Sequence, residues 1–410
     1  MKILFITGLY PKEQKSLLSA LAHGIMQNAC DAYQWAVVKG LAENEADFNV
    51  LSLPYLPCFP RRFKRLFTPS SDIFYKGNKI GDAVSYCALP VFKDYSQDWQ
   101  VKRYVGKWIK DNIKDSDERF AILTYTPDQY IRLLASFKKR YPKLIISSIV
   151  TDLVDDVMNF SSNRSFLKRI QMSRLTKEVK SSYRHIDKFV LLTEAMKKKI
   201  PEAHEKSIIV EGISSAECSS FNAKESNSHR TLLYTGSLQL FAGIRDLVDA
   251  FMMTTDDSFR LVICGSGECA EYIKECASRD SRISFLGSVS RDEALDLQKK
   301  ATSLINPRKP NGGITKYSFP SKTMEYLSSG TPMIGYRLEG IPDEYFEHMY
   351  TEESLDIQAL ADKITEVLSK PQNELDQKAT AAMKFIVENK TSKIQVRKIM
   401  DFLAQTSIRI

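Results

Sequence analysis

The stretch from Asn306 to Tyr336 reads N-P-R-K-P-N-G-G-I-T-K-Y-S-F-P-S-K-T-M-E-Y-L-S-S-G-T-P-M-I-G-Y. It divides into a loop rich in Gly and Pro, a short helix and a buried apolar strand. Pro320 sits just inside the expected helix start, Ser318 and Ser321 are candidate N-caps, and Gly330 with Pro332 ends the run. A helix over roughly 319–329 is expected. Its amino end would present unpaired N–H groups and about half a positive charge, to which Lys316 and Lys322 add full charges. Such an end attracts anions. Glu325 falls three residues after Lys322, on the same helix face, where a carboxylate can accept two hydroxyl hydrogen bonds from a ribose. A phosphate seat one turn from a diol acceptor describes a nucleoside diphosphate. The competing reading is an ordinary α/β loop with a solvated Glu, and context has to separate the two.

At 410 residues the chain exceeds one ordinary core, so two domains are expected. An apolar share of 43% and a charged share of 26% belong to a soluble globular protein. The net charge of +8 is uneven: residues 1–215 hold 34 Lys and Arg against 23 Asp and Glu, and the remainder 24 against 27. The first half therefore has the better claim on an anionic partner. Within it, Phe59-Pro-Arg-Arg-Phe-Lys-Arg-Leu-Phe67 interleaves four cations with aromatics. That suits either a peripheral segment meeting anionic lipid headgroups or a solvated surface turn. A second basic run, from Arg164 to Arg184, reads as a solvated helix face.

Seven cysteines without a C-x-x-C pair point to reduced thiols and a cytoplasmic setting. Five scattered histidines show no zinc spacing, so no metal site is expected. Met1-Lys2 leads straight into strand-like Ile3-Leu4-Phe5-Ile6, too short for a signal segment, and no 18 apolar residues run together. Any membrane contact would be peripheral. The basic residues match no nucleic-acid-binding motif, so no nucleic-acid partner is expected.

Apolar runs alternate with helical patterns along the chain, the signature of parallel sheets covered by helices. Strands are expected at 2–7, 48–53, 120–125, 144–150, 188–193 and 207–210, and the region 54–98 reads as irregular. Helices are expected at 99–113, 128–141 and 165–182. Acidic Asp152 follows the strand at 144–150, where it can either meet sugar hydroxyls or cap the next helix. The composition of Ser214 to His229 marks a linker. A second βα series follows, with glycines at strand ends, Gly236 and Gly265, placed to share one sheet edge with the helix of Glu325. The division expected is 1–213, a linker at 214–229, a second domain at 230–390, and a final helix in 391–410 that packs back on the first.

This order resembles the two-Rossmann-domain GT-B glycosyltransferases, and among them the retaining enzymes of glycosyltransferase family four. The resemblance rests on Leu233-Tyr-Thr-Gly-Ser-Leu238 with Ala242-Gly243, Leu261-Val-Ile-Cys-Gly-Ser-Gly-Glu268, Phe285-Leu-Gly287 and Phe319-Pro-Ser-Lys-Thr-Met-Glu-Tyr-Leu-Ser-Ser-Gly-Thr-Pro-Met-Ile334. It implies an α/β fold of two doubly wound Rossmann-like domains facing each other across a cleft. Donor would sit on the second domain and acceptor on the first. Glu325 resembles the carboxylate that holds the ribose hydroxyls, and Ser318 and Phe319 the backbone that meets the diphosphate. Gly236 resembles the glycine under the phosphates, and Gly8 lies in the loop expected to wall the sugar. Three positions depart from the family: Tyr317 replaces an acid, Ser237 an Arg and Ala242 a Lys. The two lost cations would offset charge on a departing diphosphate, and Arg308, Lys316 and Lys322 are the candidate replacements. A variant lacking the first acid looks like a branch from bacterial surface-polysaccharide assembly.

The activity this implies is glycosyl transfer with retention, from a nucleoside-diphosphate sugar to a glycan or lipid-linked glycan, without a metal or resident cofactor. The rivals are a non-catalytic subunit of the same fold, which the missing cations favour, and a nucleotide-sugar epimerase.

Overall fold

The computed structural model describes residues 1–126, 130–153, 173, 176–214, 229–310 and 314–405. The chain divides into two compact units, Met1–Ile213 with Ser392–Ile410, and Ser214–Thr391.

The first unit is built on strands β1 (Lys2–Thr7), β2 (Phe48–Ser52), β3 (Ser71–Tyr75), β4 (Asn78–Ala83), β5 (Phe120–Tyr125), β6 (Leu144–Val150), β7 (Lys188–Leu191) and β8 (Ser207–Ile209). Their order is β3-β4-β2-β1-β5-β6-β7-β8. All neighbours run parallel except β3, which is antiparallel to β4. Every residue of β5 and β6 is buried. That is why they read as mainly apolar runs, interrupted only by the small Thr124, Ser147 and Ser148, and not as alternating ones: helices cover both faces. The direction of winding reverses between β1 and β5, which opens a crevice beyond their carboxyl ends.

The second unit holds β9 (Arg230–Ser237), β10 (Phe259–Ser266), β11 (Ile283–Gly287), β12 (Ser303–Asn306), β13 (Met333–Tyr336) and β14 (Tyr350–Glu352). These form an all-parallel sheet in the order β11-β10-β9-β12-β13-β14. Its winding reverses between β9 and β12. Both units are thus doubly wound and Rossmann-like.

Several expectations are corrected. The region 54–98 is not irregular throughout: β3 and β4 form a hairpin there, turned by Lys76 and Gly77 at positive φ, and it extends the sheet edge. The helix expected at 99 begins at Lys93 and runs to Asn112. The central helix spans only Ser321–Leu327, and Pro320 is its N-cap, without a side-chain cap bond, so neither Ser318 nor Ser321 caps it. At under two turns its macrodipole is weak, which shifts the electrostatic burden to side chains. Ile314–Tyr317 forms a single helical turn in what reads as loop. Most of the proposed linker (215–228), most of the helix proposed at 165–182, the start of the one at 128–141 and the glycines at 312–313 lie outside the described residues.

The final helix, Ser392–Ala404, belongs to the first unit and packs on the Asn28–Glu43 helix. Gly40 permits this approach, since a side chain there would collide with the Ser392 carbonyl oxygen and with Val396. Gln395 Nε2 donates to the Gly212 carbonyl at 2.8 Å. Buried Lys188 donates to the main-chain oxygen of Gln405 at 2.9 Å. Two glycines offer contrasting tests of this packing. Gly40→Val should cost about 2–3 kcal/mol, because helix and backbone must part. Gly106→Ala, inside a helix with open space around it, should gain roughly 0.5–1 kcal/mol. Urea unfolding of each variant measures both signs.

Candidate functional site

The carboxyl edge of the second sheet gathers the candidate residues of β9, β10, β12 and the following helix. Gly236 and Gly265 are register partners on β9 and β10. Gly265 has φ +146°, and any side chain there would strike the Gly236 carbonyl, so glycine is required for the strands to approach. A β-carbon at Gly236 would lie 2.8 Å from the Tyr234 hydroxyl and 3.3 Å from Lys322 Cε. Gly236 therefore sits directly beneath the lysine stem. Ser237 is exposed, and its carbonyl accepts the Tyr234 hydroxyl at 2.8 Å.

Glu325 is three-quarters buried, with its side chain 25% exposed. Its Oε1 accepts from Lys322 Nζ at 2.9 Å and from Gln298 Nε2 at 2.8 Å. Gln298 also donates to Thr235 Oγ1 at 2.9 Å, and the Tyr326 hydroxyl accepts the Thr235 amide at 3.0 Å. Burial alone would push the Glu325 carboxyl up, but the Lys322 charge, its hydrogen bond, that of Gln298 and the Arg291 charge together outweigh it, and the pKa is lowered. The group is an anion at neutral pH. Both bonds that the described residues make to it fall on Oε1, so among them Oε2 is the oxygen left to a ligand.

Arg308, two residues past β12, is half-buried, and its guanidinium lies 5.9 Å from the Phe241 ring centroid. Its Nε is buried with no hydrogen-bond partner among the described residues. Burial lowers its pKa, and the neighbouring Tyr234 hydroxyl opposes that shift. It is a cation between Phe241 and Tyr234, with one donor that no described residue accepts.

Lys316 lies apart from this group. Its Nζ pairs with Glu339 Oε2 at 2.8 Å, and that partner raises its pKa. Gly340 packs against the Ser318 and Thr315 carbonyls, so the loop after β13 braces the turn that carries Thr315, Tyr317 and Ser318. The Phe319 ring is buried, 5.3 Å from that of Tyr345, and it anchors the helix start in the core. Tyr317, where the family has an acid, is half-buried.

In the first unit, Gly8 packs under the Tyr55 ring, and its amide donates to Gln34 Oε1 at 2.6 Å. A pocket of about 200 Å³ lies beyond β1, β5 and β6, lined by Gln27, Cys30, Tyr55, Tyr125, Thr126, Thr151 and Asp152. Asp152 is solvent-accessible at its rim, yet the protein packed around it raises its pKa, and Thr151 Oγ1 donates to Oδ2 at 3.2 Å. Whether it caps the next helix concerns residues 154–172, outside those described.

Sequence reasoning missed Gln298 and Thr235. A signal existed for Gln298: on the Arg291–Lys300 helix it falls four residues after Ala294 and three after Leu295, in phase with the inward stripe, where an apolar residue belongs.

Residues 229–370, about a third of the chain, match the family described as "Glycosyl transferases group 1". No curated protein matches at the sequence level. Among solved structures, a lipopolysaccharide outer core galactosyltransferase, WaaB, in its apo form is 14% identical, with 98% of this chain and 99% of that one covered and a TM-score of 0.60. Anabaena HepE, in complex with UDP and glucose, is 14% identical, with 98% and 99% covered and a TM-score of 0.58. A point mutant of S. aureus TarM, in complex with fondaparinux, alpha-GlcNAc-glycerol and UDP, is 10% identical, with 99% and 100% covered and a TM-score of 0.61. The fold is GT-B, and the stretch that matches the group 1 family lies within the second unit.

The Glu325 constellation makes a pH-dependent expectation. Because its pKa is lowered in the folded chain, its contribution to stability is present at neutral pH and is lost as pH falls through that lowered value. Lys322→Met leaves burial in control, so the variant's carboxyl titrates higher. The substitution should cost roughly 1–2 kcal/mol at pH 7 and less at pH 4, where the stranded group is protonated. Denaturation at the two pH values checks this, and an equal loss at both would contradict it.

Proposed function

We propose, from the premise that the second unit is a group 1 glycosyltransferase module on a GT-B fold, that the protein transfers a glycosyl group from a nucleoside-diphosphate sugar to a glycan or lipid-linked glycan with retention at the anomeric carbon. The observation that carries the reading is the Glu325 carboxylate, held ionised by Lys322 and Gln298 with Oε2 uncommitted, at the strand edge where open α/β sheets take ligands. Oε2 accepts the ribose hydroxyls. The diphosphate lies over Gly236, where the absence of a side chain lets it approach the backbone. WaaB, a galactosyltransferase, and HepE and TarM, both solved with UDP, support a hexosyl donor with a nucleoside-diphosphate carrier.

As the glycosidic bond to the diphosphate breaks, negative charge grows on the leaving oxygen. The cations assigned to meet it are Lys322, whose stem lies against Gly236, and Arg308, whose Nε has no partner among the described residues. They take the place of the family cations missing at Ser237 and Ala242. Lys316, paired with Glu339, braces the loop and leaves the charge work to the other two. The departing diphosphate takes the acceptor's proton, so no protein nucleophile is needed, and positioning with electrostatics lowers the barrier. The reading needs no metal. Asp152, at the rim of the pocket in the first unit, is the acceptor-side residue. The setting is bacterial polysaccharide assembly, in the cytoplasm at an anionic membrane surface. No helix among the described residues is long and apolar enough to cross a membrane, so contact would be peripheral.

A thermal-shift panel with UDP, GDP and ADP should show stabilisation by at least one nucleotide. Arg308→Ala should then lower kcat by about a hundredfold with a smaller change in KM, as for loss of a charge-stabilising donor. Stabilisation by none of them would favour the non-catalytic subunit. Donor consumption unchanged when acceptor is omitted would favour the epimerase.

A further inference from the structure

The first unit exposes six large apolar side chains on two segments that its backbone ties together. Leu66 and Phe67 lie on one and Val91, Phe92, Tyr95 and Trp99 on the other, with exposures from 39% at Leu66 to 75% at Tyr95. The Ala88 amide donates to the Leu66 carbonyl at 2.7 Å and the Thr68 amide to the Tyr86 carbonyl at 3.0 Å, and Phe67 pairs with Cys87 in an antiparallel bridge. The Cys87 amide in turn donates to Ser96 Oγ at 2.9 Å, on the Lys93–Asn112 helix. Phe92, Tyr95 and Trp99 follow at steps of three and four, so they form one stripe. The helix buries its other face through Val101, Val105, Trp108 and Ile109. It does not use the exposed stripe for its own core.

Cations frame these rings. Arg61, Arg62, Lys64 and Arg65 are exposed immediately before Leu66. The Arg103 guanidinium lies 5.4 Å from the Trp99 ring centroid, and Lys102 is exposed beside it. None of these six cations pairs with a carboxylate among the described residues, and the exposed Asp94 lies about 100° round the helix from Tyr95, off the stripe. The segment is held firmly: Phe63 is fully buried with Tyr10, Leu18 and Leu56, and the Lys64 amide donates to the Leu21 carbonyl at 3.0 Å. This corrects the sequence expectation for 59–67. Phe63 is core and Phe59 half-buried, so the rings free to insert are Phe67 and those opening the next helix.

Trp, Tyr and Phe beside clustered Arg and Lys match the boundary between lipid headgroups and acyl chains, with an apolar layer below and anionic charge above. A protein partner fits less well, since the cores of such interfaces are depleted in charge and in lysine. We propose that this face docks the first unit on an anionic lipid bilayer, with Phe67, Phe92, Tyr95 and Trp99 at headgroup depth and the Arg61–Arg65 cations against lipid phosphates. Its purpose rests on the reading of a membrane-borne acceptor, but its test does not depend on activity.

The full chain is sedimented with vesicles of phosphatidylcholine alone and of phosphatidylcholine with phosphatidylglycerol, while tryptophan emission is followed. Co-sedimentation with the anionic vesicles only, weakened by salt, is expected, with a blue shift that disappears in Trp99→Phe although that variant still binds. Changing Arg61, Arg62, Lys64 and Arg65 to Gln, or Phe67 and Phe92 to Ser, should weaken partitioning more than about tenfold. The nucleotide-induced thermal shift, kept in both variants, shows that they fold. Failure to sediment, equal binding to both vesicle types, binding without a Trp99 signal, indifference to these variants, or self-association that the variants abolish would each overturn the proposal. If the native chain binds nucleotide but not anionic vesicles, this surface alone falls, and if it binds vesicles but no nucleotide, the donor reading alone falls.

Discussion

A carboxylate cannot remain charged in a mostly buried position unless the surrounding groups compensate it, and that constraint organises the second unit around Glu325. Lys322 supplies the charge from the same helix, Gln298 a donor from the Arg291–Lys300 helix, and Thr235 joins both to β9. Tyr326 adds a second tie, since its buried hydroxyl both accepts from the Thr235 amide and donates to the Thr235 carbonyl at 3.1 Å. A two-turn helix with little dipole of its own is thereby fixed at the reversal point of the sheet. Its lysine stem lies over Gly236, whose register partner Gly265 has to be glycine.

The charge arrangement of this chain differs from the family pattern in a way the geometry makes coherent. Where the resemblance leads one to expect cations after the first strand of this unit, the chain has Ser237, whose carbonyl accepts the Tyr234 hydroxyl, and a buried Ala242. The replacement in the proposed function is Arg308, beyond β12, half-buried and with an Nε that has no hydrogen-bond partner among the described residues. In the proposed function the positive charge has moved across the switch point rather than been lost.

Strands such as Phe120–Tyr125, Leu144–Val150 and Ser303–Asn306 were legible because parallel strands covered on both faces are mainly apolar and admit only small, uncharged polar residues such as Thr124, Ser147, Ser148 and Ser303, or Asn306 at the strand end. The β3–β4 hairpin was not, since S-D-I-F-Y and N-K-I-G-D-A lie at a sheet edge and are only partly buried; the Lys76-Gly77 turn was its one local sign. The first two turns of the Lys93 helix were missed for a related reason. Exposed Phe92, Tyr95 and Trp99 spoil the amphipathic pattern that a helix packed only on its own core would show. At the site, Lys322 and Glu325 could be read because a helix face brings residues three apart together. Gln298, which lies 27 residues before Glu325, and the Glu339 partner of Lys316 depend on tertiary approach and leave little local trace.

The account stands on Glu325 receiving a ribose diol. Titrating the best-binding nucleoside diphosphate and its 2′-deoxy counterpart into the native chain and into Glu325→Gln closes a double-mutant cycle on that contact. Removal of the hydroxyl should weaken binding to the native chain by about tenfold or more and should make little further difference in the variant. An equal loss in both proteins would show that the carboxylate does not touch the sugar, and the site would have to be drawn elsewhere.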